Sequence, residues 1–153
     1  MNTNTICYTD AVTGDICHRI LHKSGLEIRI MEMPEFSTAY AQFGTKFGSY
    51  QTAFQKSPAE PAEHVPIGTA HFLEHKLFEQ QYGDVSVQFS RLGVSDNAYT
   101  NYDHTIFHFQ TQSNFKEALT LLLQFVQQPG FTEESVEQEK SIIKQEILEG
   151  MDD

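Results

Sequence analysis

Residues 68–78 of the chain read GTAHFLEHKLF. Apolar residues recur in this stretch at intervals of three and four positions: Ala70, Leu73 and Leu77. Residues at these intervals lie on one face of an α-helix, so the stretch predicts a helix over Thr69–Glu79. The chemically informative residues of the chain lie on this helix.

Two histidines and a glutamate on this helix have the spacing of a metal site. His71 and His75 are four positions apart, which places their Cβ atoms about 5–6 Å apart on one face, within reach of a single ion. Glu74 borders that face and is free to accept a proton from water, as a metallohydrolase requires. The alternative is a solvated histidine pair, but His71 lies between Ala70 and Phe72 in an apolar run, which weakens it.

A third ligand is available from the last predicted helix, which Thr132 caps and which runs to about Glu149. Its apolar stripe consists of Val136, Ile143 and Ile147. Glu139 and Glu146 fall on or beside this stripe, and a buried carboxylate is costly unless it is paired or bound to a metal. From spacing alone, a ligand and the edge of a broad amphipathic face remain equally good interpretations of the two glutamates.

The remaining pattern alternates strands with helices and predicts an α+β fold, a mixed sheet covered by helices. Strands are predicted over His18–Ile20, Leu26–Met31, Thr38–Phe47, Val94–Thr100 and Thr105–Gln110, with a proline-containing loop over Gln51–Pro66. Further helices are predicted over Asp84–Leu92 and from an Asn114 cap to Val126. Residues 1–17 are interpreted as an N-terminal extension and residues 18–153 as the strand and helix region of one incomplete domain.

Composition limits the function classes. The 153 residues carry a formal net charge of −11, and an acidic surface repels phosphate backbones and anionic lipid, so nucleic-acid and membrane partners are not expected. No secretion signal is visible, and the only cysteines, Cys7 and Cys17, form neither a CxxC motif nor a disulfide framework. We therefore expect reduced thiols and a cytoplasmic location.

Three separated motifs resemble those of the pitrilysin/insulysin/mitochondrial processing peptidase family, the inverzincin zinc metallopeptidases. They are the HxxEH helix at residues 68–78, the sequence SDNAYT at residues 95–100, which is similar to the family's S-x-N-A-x-T strand, and the sequence EKSIIKQE at residues 139–146. The resemblance spans about Gly25 to Asp153. It is closest to the bacterial processing-protease-like branch, where lysine follows the second histidine.

The resemblance implies a zinc-dependent endopeptidase that hydrolyses peptides or small proteins with metal-activated water. His71, His75 and Glu146 would bind Zn²⁺, and Glu74 would be the general base. Glu139 would support the ligands from behind.

The resemblance also implies a substrate site and missing partners. Asn97 and Ala98 match the edge strand on which family members lay their peptide. Family members add a homologous second half or a partner subunit that completes the chamber, so this segment alone is expected to be inactive or weakly active.

Two alternatives remain. One is a non-catalytic, chamber-forming partner subunit of a heteromeric peptidase. The other is a structural zinc site, which needs a fourth ligand such as His104 or His108. We expect both of these histidines to be ordinary polar positions of the strand pair.

Overall fold

The computed structural model describes residues 4–149, apart from the side chains of Asn4, Ile147 and Glu149. The chain divides into two compact units, Met1–Ser37 and Thr38–Asp153. Among the described residues, no helix is both long and apolar enough to cross a membrane.

The first unit is a three-stranded antiparallel sheet of β1 (Asn4–Thr9), β2 (Ile16–Leu21) and β3 (Glu27–Glu32). The strands predicted over His18–Ile20 and Leu26–Met31 are confirmed as β2 and β3, and Gly25 in the turn between them has a φ of +89°, whereas β1 was not predicted. The carboxylate of Glu27 accepts hydrogen bonds from Arg19 (2.6 Å) and Arg29 (2.7 Å). These two bonds lower the pKa of Glu27 to about 2, and the bond from Arg19 has the larger effect.

The second unit contains the remaining elements. Its strands are β4 (Ala39–Thr45), β5 (Ala53–Phe54), β6 (Glu63–His64), β7 (Glu79–Gln80), β8 (Gly83–Asp84), β9 (Ser95–Thr100) and β10 (Thr105–Thr111). Its helices are α1 (Thr69–Phe78), α2 (Val85–Arg91), α3 (Phe115–Phe125) and α4 (Glu133–Glu149). The α+β class is therefore confirmed, and the predicted loop over Gln51–Pro66 contains only the two short strands β5 and β6.

The main sheet has the strand order β4-β10-β9, and each of its two pairs is antiparallel. Alternate residues of β10, among them Phe107 and Phe109, are buried on one face. Aromatic and aliphatic side chains of α2 and α3 cover this face and form the core: Val85, Phe89, Ala118, Leu121, Leu122 and Phe125. Helix α1 contacts both β9 of the main sheet and the last helix, α4.

The helix ends follow the predictions with one exception. The hydroxyl of Thr132 accepts from the Ser135 amide, and the Ser135 hydroxyl accepts from the Thr132 amide (both 3.1 Å), so α4 begins with a reciprocal cap. Asn114 occupies the predicted N-cap position of α3, but its side chain makes no capping hydrogen bond. Asn114 lies at the start of α3 with φ of 56°, and its side-chain amide donates to the Leu92 carbonyl (2.8 Å) instead of accepting from the helix.

Candidate metal centre

The start of α1 is fixed to the sheet by a chain of backbone contacts. The Gly68 amide donates to the Ser49 carbonyl (3.3 Å), and the Ser49 amide donates to the carbonyl of Asn101, in the turn after β9 (2.9 Å). The backbone at the preceding residue, Gly48, packs so closely against this turn that a Cβ there would lie 2.5 Å from the Asn101 carbonyl oxygen. The helix that carries both histidines is thereby held at one end of β9.

Three side chains converge between α1 and α4. Nε2 of His71 lies 4.0 Å and Nε2 of His75 lies 3.9 Å from Oε2 of Glu146. One donor atom from each of the three residues lies within 4.8 Å of the other two. In this way the sequence-predicted ligands from two helices face a common point.

The donor set fits zinc. Zinc–nitrogen and zinc–oxygen bonds are about 2.0–2.2 Å long, which puts tetrahedral ligands about 3.4 Å apart. The 3.9–4.0 Å histidine–glutamate separations exceed this by about half an ångström, and all separations in the group are within 4.8 Å, so the side chains would have to close on an ion by about 0.5–1.4 Å. Two neutral nitrogens and one carboxylate also leave a fourth position open, as catalytic zinc sites do.

Glu139 holds His75 from the opposite side of the ring. Its Oε1 lies 3.0 Å from Nδ1 of His75, and its side chain is only 10% exposed. An ionised carboxylate only accepts hydrogen bonds, so the proton of this bond is on Nδ1 and Nε2 keeps its lone pair for a metal. The structure thus places Glu139 behind His75 and outside the group of converging donor atoms.

Glu74 lies beside the histidines but points to the sheet. The side chain is buried, and its Oε2 accepts a 2.6 Å hydrogen bond from the hydroxyl of Thr100 on β9. Among the described residues, the group that could hold a metal does not include Glu74. The carboxylate is therefore held by the sheet and not by the converging donor atoms.

Asn97 and Ala98 lie on β9, which has a neighbour on one side only among the described strands. The Asn101 amide donates to the His104 carbonyl (2.8 Å), and hydrogen-bonded and non-bonded pairs alternate from that point along an antiparallel ladder. The backbone polar groups of Ala98 therefore point away from β10. The amide of Ala98 donates a hydrogen bond to Oδ1 of the adjacent Asn97 (2.8 Å). Together with Glu74 and His75, both residues line a cleft of about 450 Å³.

Comparison with known proteins identifies the fold. Residues 60–151 match the model of the insulinase family, peptidase family M16. The chain belongs to this family.

Similar M16 proteins include the "uncharacterized zinc protease YmfH" of Bacillus subtilis strain 168, which is 46% identical over 124 residues, covering 81% of this chain and 29% of YmfH. An M16-like peptidase from Alicyclobacillus acidocaldarius superposes with a TM-score of 0.77 at 35% identity, covering 96% of this chain and 31% of that structure. Pitrilysin superposes with a TM-score of 0.74 at 16% identity, which shows the fold alone. The chain thus spans less than a third of the length of these M16 proteins.

The two other candidate ligands lie elsewhere in this M16 chain. His108 is on β10, where its ring contacts Tyr40 and Tyr99 (centroids 5.4 and 6.2 Å away), and His104 lies in the turn beside Asp103. Neither belongs to the metal-holding group found among the described residues. This arrangement gives no support to a four-ligand structural zinc site.

Two polar residues of the elements around the site were not predicted from the sequence. Thr100 contacts Glu74, and Lys76 is fully buried with its ammonium paired to Glu79. Thr100 could have been found, because it is two positions from Ala98 and so faces the same side of β9. Lys76 could not, since lysine is almost never fully buried.

Proposed function

We propose that this chain carries the zinc-binding and proton-transferring part of a metalloendopeptidase. The observation that carries the proposal is the convergence of His71, His75 and Glu146 on one point beside a buried, non-ligating Glu74. The zinc-protease names of similar M16 proteins support the choice of metal. When bound, zinc would lower the pKa of a water molecule to about 7 and polarise a peptide carbonyl.

The residues of the chain would divide the remaining work. Nε2 of His71, Nε2 of His75 and a carboxylate oxygen of Glu146 would hold the ion, and Glu139 would keep His75 in the correct tautomer. Glu74 would accept a proton from the attacking water and pass it to the leaving amine, a role typically worth about 10²–10⁴ in rate.

The substrate would be an extended peptide. The outward-pointing backbone groups of Ala98 can pair with a further strand, so a peptide would add to the free edge of β9. A carbonyl oxygen of the peptide would replace Asn97 Oδ1 as the acceptor of the Ala98 amide, and a peptide amide would donate to the Ala98 carbonyl. A peptide bound in the cleft along this edge would then have its scissile carbonyl in the space between Glu74 and His75.

Metal binding can be tested on the chain itself. We expect one zinc per chain by elemental analysis, lost in His71→Ala and kept in His64→Ala, a matched control at an exposed histidine outside the converging group. Equal zinc retention in both variants would contradict the ligand assignment.

Catalysis should be tested in the longest natural polypeptide that contains these residues, using a fluorogenic peptide library. Glu74→Gln should keep its zinc and lose cleavage by roughly 10²-fold or more. Undiminished cleavage would reject Glu74 as the base. A zinc-loaded wild type that cleaves nothing, alone or with added subunits, would favour a chamber-forming partner subunit instead.

A further inference from the structure

Two threonine hydroxyls form a chain behind Glu74. The hydroxyl of Thr100 lies 2.6 Å from Oε2 of Glu74 and 3.3 Å from the hydroxyl of Thr105, which lies 2.8 Å from the Phe47 carbonyl. Thr105 and Glu74 are both buried, at 4% and 9% exposure. Thr100 and Thr105 are paired positions of β9 and β10, so their backbones hold the two hydroxyls together.

The number of available protons fixes which group donates and which accepts in each of these hydrogen bonds. The Phe47 carbonyl and an ionised Glu74 can only accept, and each threonine has one proton to donate. Thr105 therefore donates to Phe47. Thr100 donates to Glu74, because 2.6 Å is the length of a hydroxyl–carboxylate bond, whereas the 3.3 Å contact with Thr105 exceeds the usual hydroxyl range.

We propose that Thr100 is a positioning residue for the general base; this inference rests on the proposed function. Its hydroxyl donates a hydrogen bond to Oε2 of Glu74. The other carboxylate oxygen, Oε1, is then the one that accepts a proton from water and passes it to the leaving amine. Thr105 lies beside Thr100 on the neighbouring strand and donates its own proton to the Phe47 carbonyl, so Thr100 keeps its proton for the shorter bond to Oε2 of Glu74.

This arrangement couples the base to the substrate strand. Thr100 and Ala98 lie two positions apart on the same face of β9, about 7 Å along the strand. The strand whose edge would bind the peptide thus also fixes the carboxylate that acts on it. A peptide bound in register would therefore meet a base already aimed at its scissile bond.

The kinetic test compares Thr100→Val, which keeps the side-chain shape and removes the hydroxyl, with Thr100→Ser, which keeps the hydroxyl. In the longest natural polypeptide, we expect Thr100→Val to lower kcat about 10- to 100-fold, the usual effect of removing a hydrogen bond to a charged group. KM should stay within about twofold, since no substrate-binding group is removed. Zinc content should stay at one per chain, and Thr100→Ser should restore kcat to within a few-fold of wild type.

The matched control is Thr111→Val. Thr111 is a buried threonine on β10 whose hydroxyl donates to the Ser113 carbonyl and does not contact Glu74. Its kcat should equal that of wild type. An unchanged kcat in Thr100→Val, failure of serine to restore it, or an equal loss in Thr111→Val would overturn the positioning role.

Crystal structures of the zinc-free variants supply a readout that does not need catalysis. The Glu74 carboxylate should leave its position or split into two conformers in Thr100→Val and stay in place in Thr100→Ser. An unmoved carboxylate in Thr100→Val would refute the inference even if the proposed function holds. If the wild type cleaves no peptide, the proposed function fails, whereas the crystal structures still decide whether Thr100 holds Glu74.

Discussion

Removing the carboxylate of Glu139 should weaken zinc binding although Glu139 is not among the converging donors. The change Glu139→Ala deletes the acceptor 3.0 Å from Nδ1 of His75, in a side chain that is 10% exposed and little screened by solvent. A hydrogen bond to a charged group is worth about 1.5–3 kcal/mol, which corresponds to roughly 10- to 100-fold in affinity. The same range is typical for residues that orient metal-binding histidines.

A second variant separates the contribution of the hydrogen bond from that of the negative charge. Glu139→Gln keeps an oxygen that can accept from Nδ1 and removes only the charge, so we expect a loss of a few-fold. If the tautomer and orientation of His75 are what Glu139 controls, the alanine variant must be clearly weaker than the glutamine variant.

The assay is a zinc competition against a chelating dye, with circular dichroism to verify that α4 is folded. Glu137→Ala is the control, because Glu137 lies on the same helix, is 69% exposed and pairs with Lys140 (2.5 Å) away from the site. The reasoning is refuted if Glu139→Ala binds zinc as tightly as Glu137→Ala.

Three further predictions concern stability. Phe125→Ala should lower the free energy of unfolding by about 3–5 kcal/mol in a denaturant titration, because it empties a fully buried core position; a loss below about 1 kcal/mol would contradict this packing. Lys76→Met should be neutral or stabilising, whereas Glu79→Ala should destabilise, since it strands a fully buried ammonium; the reverse order by thermal unfolding would show that the ion pair is favourable. Glu27, whose pKa is lowered to about 2 from 4.5, contributes stability that is complete above pH 4.5 and is lost as the pH falls toward 2; Glu27→Gln should flatten that part of the acid-unfolding profile of the first unit, and an unchanged profile would dismiss the arginine pairing.

Local signals in the sequence were sufficient for most of the fold around the site. The helix predicted over Thr69–Glu79 is observed over Thr69–Phe78, because apolar spacing and Gly68 define it without help from distant residues. The two strands Ser95–Thr100 and Thr105–Thr111 follow from the same kind of pattern. Strand β1 was missed, since its place is set by pairing with Ile16–Leu21 and its own sequence, NTICYT, groups its three apolar residues together without alternation.

The site was harder to predict where it depends on tertiary contacts. The spacing of Glu139 and Glu146 left their roles open, and only the packing of α4 against α1 brings one of them to Nδ1 of His75 and the other to the Nε2 atoms. Burial on α1 also departs from its apolar stripe: Glu74 and Lys76 are buried, because the helix is enclosed by both β9 and α4. No residue pattern within one helix contains that information.

The histidine pair on α1 and the carboxylates on α4 are far apart in the chain, with 64 positions between His75 and Glu139. A bound ion would therefore act as a reversible cross-link that closes a long segment, and its binding energy would be added to the attachment of α4. Each time α4 detached, the ion would lose one of its three anchors and the support behind a second. The lifetime of the loaded state is then set by how often the last helix opens, and a chelator should first accelerate hydrogen exchange in α4.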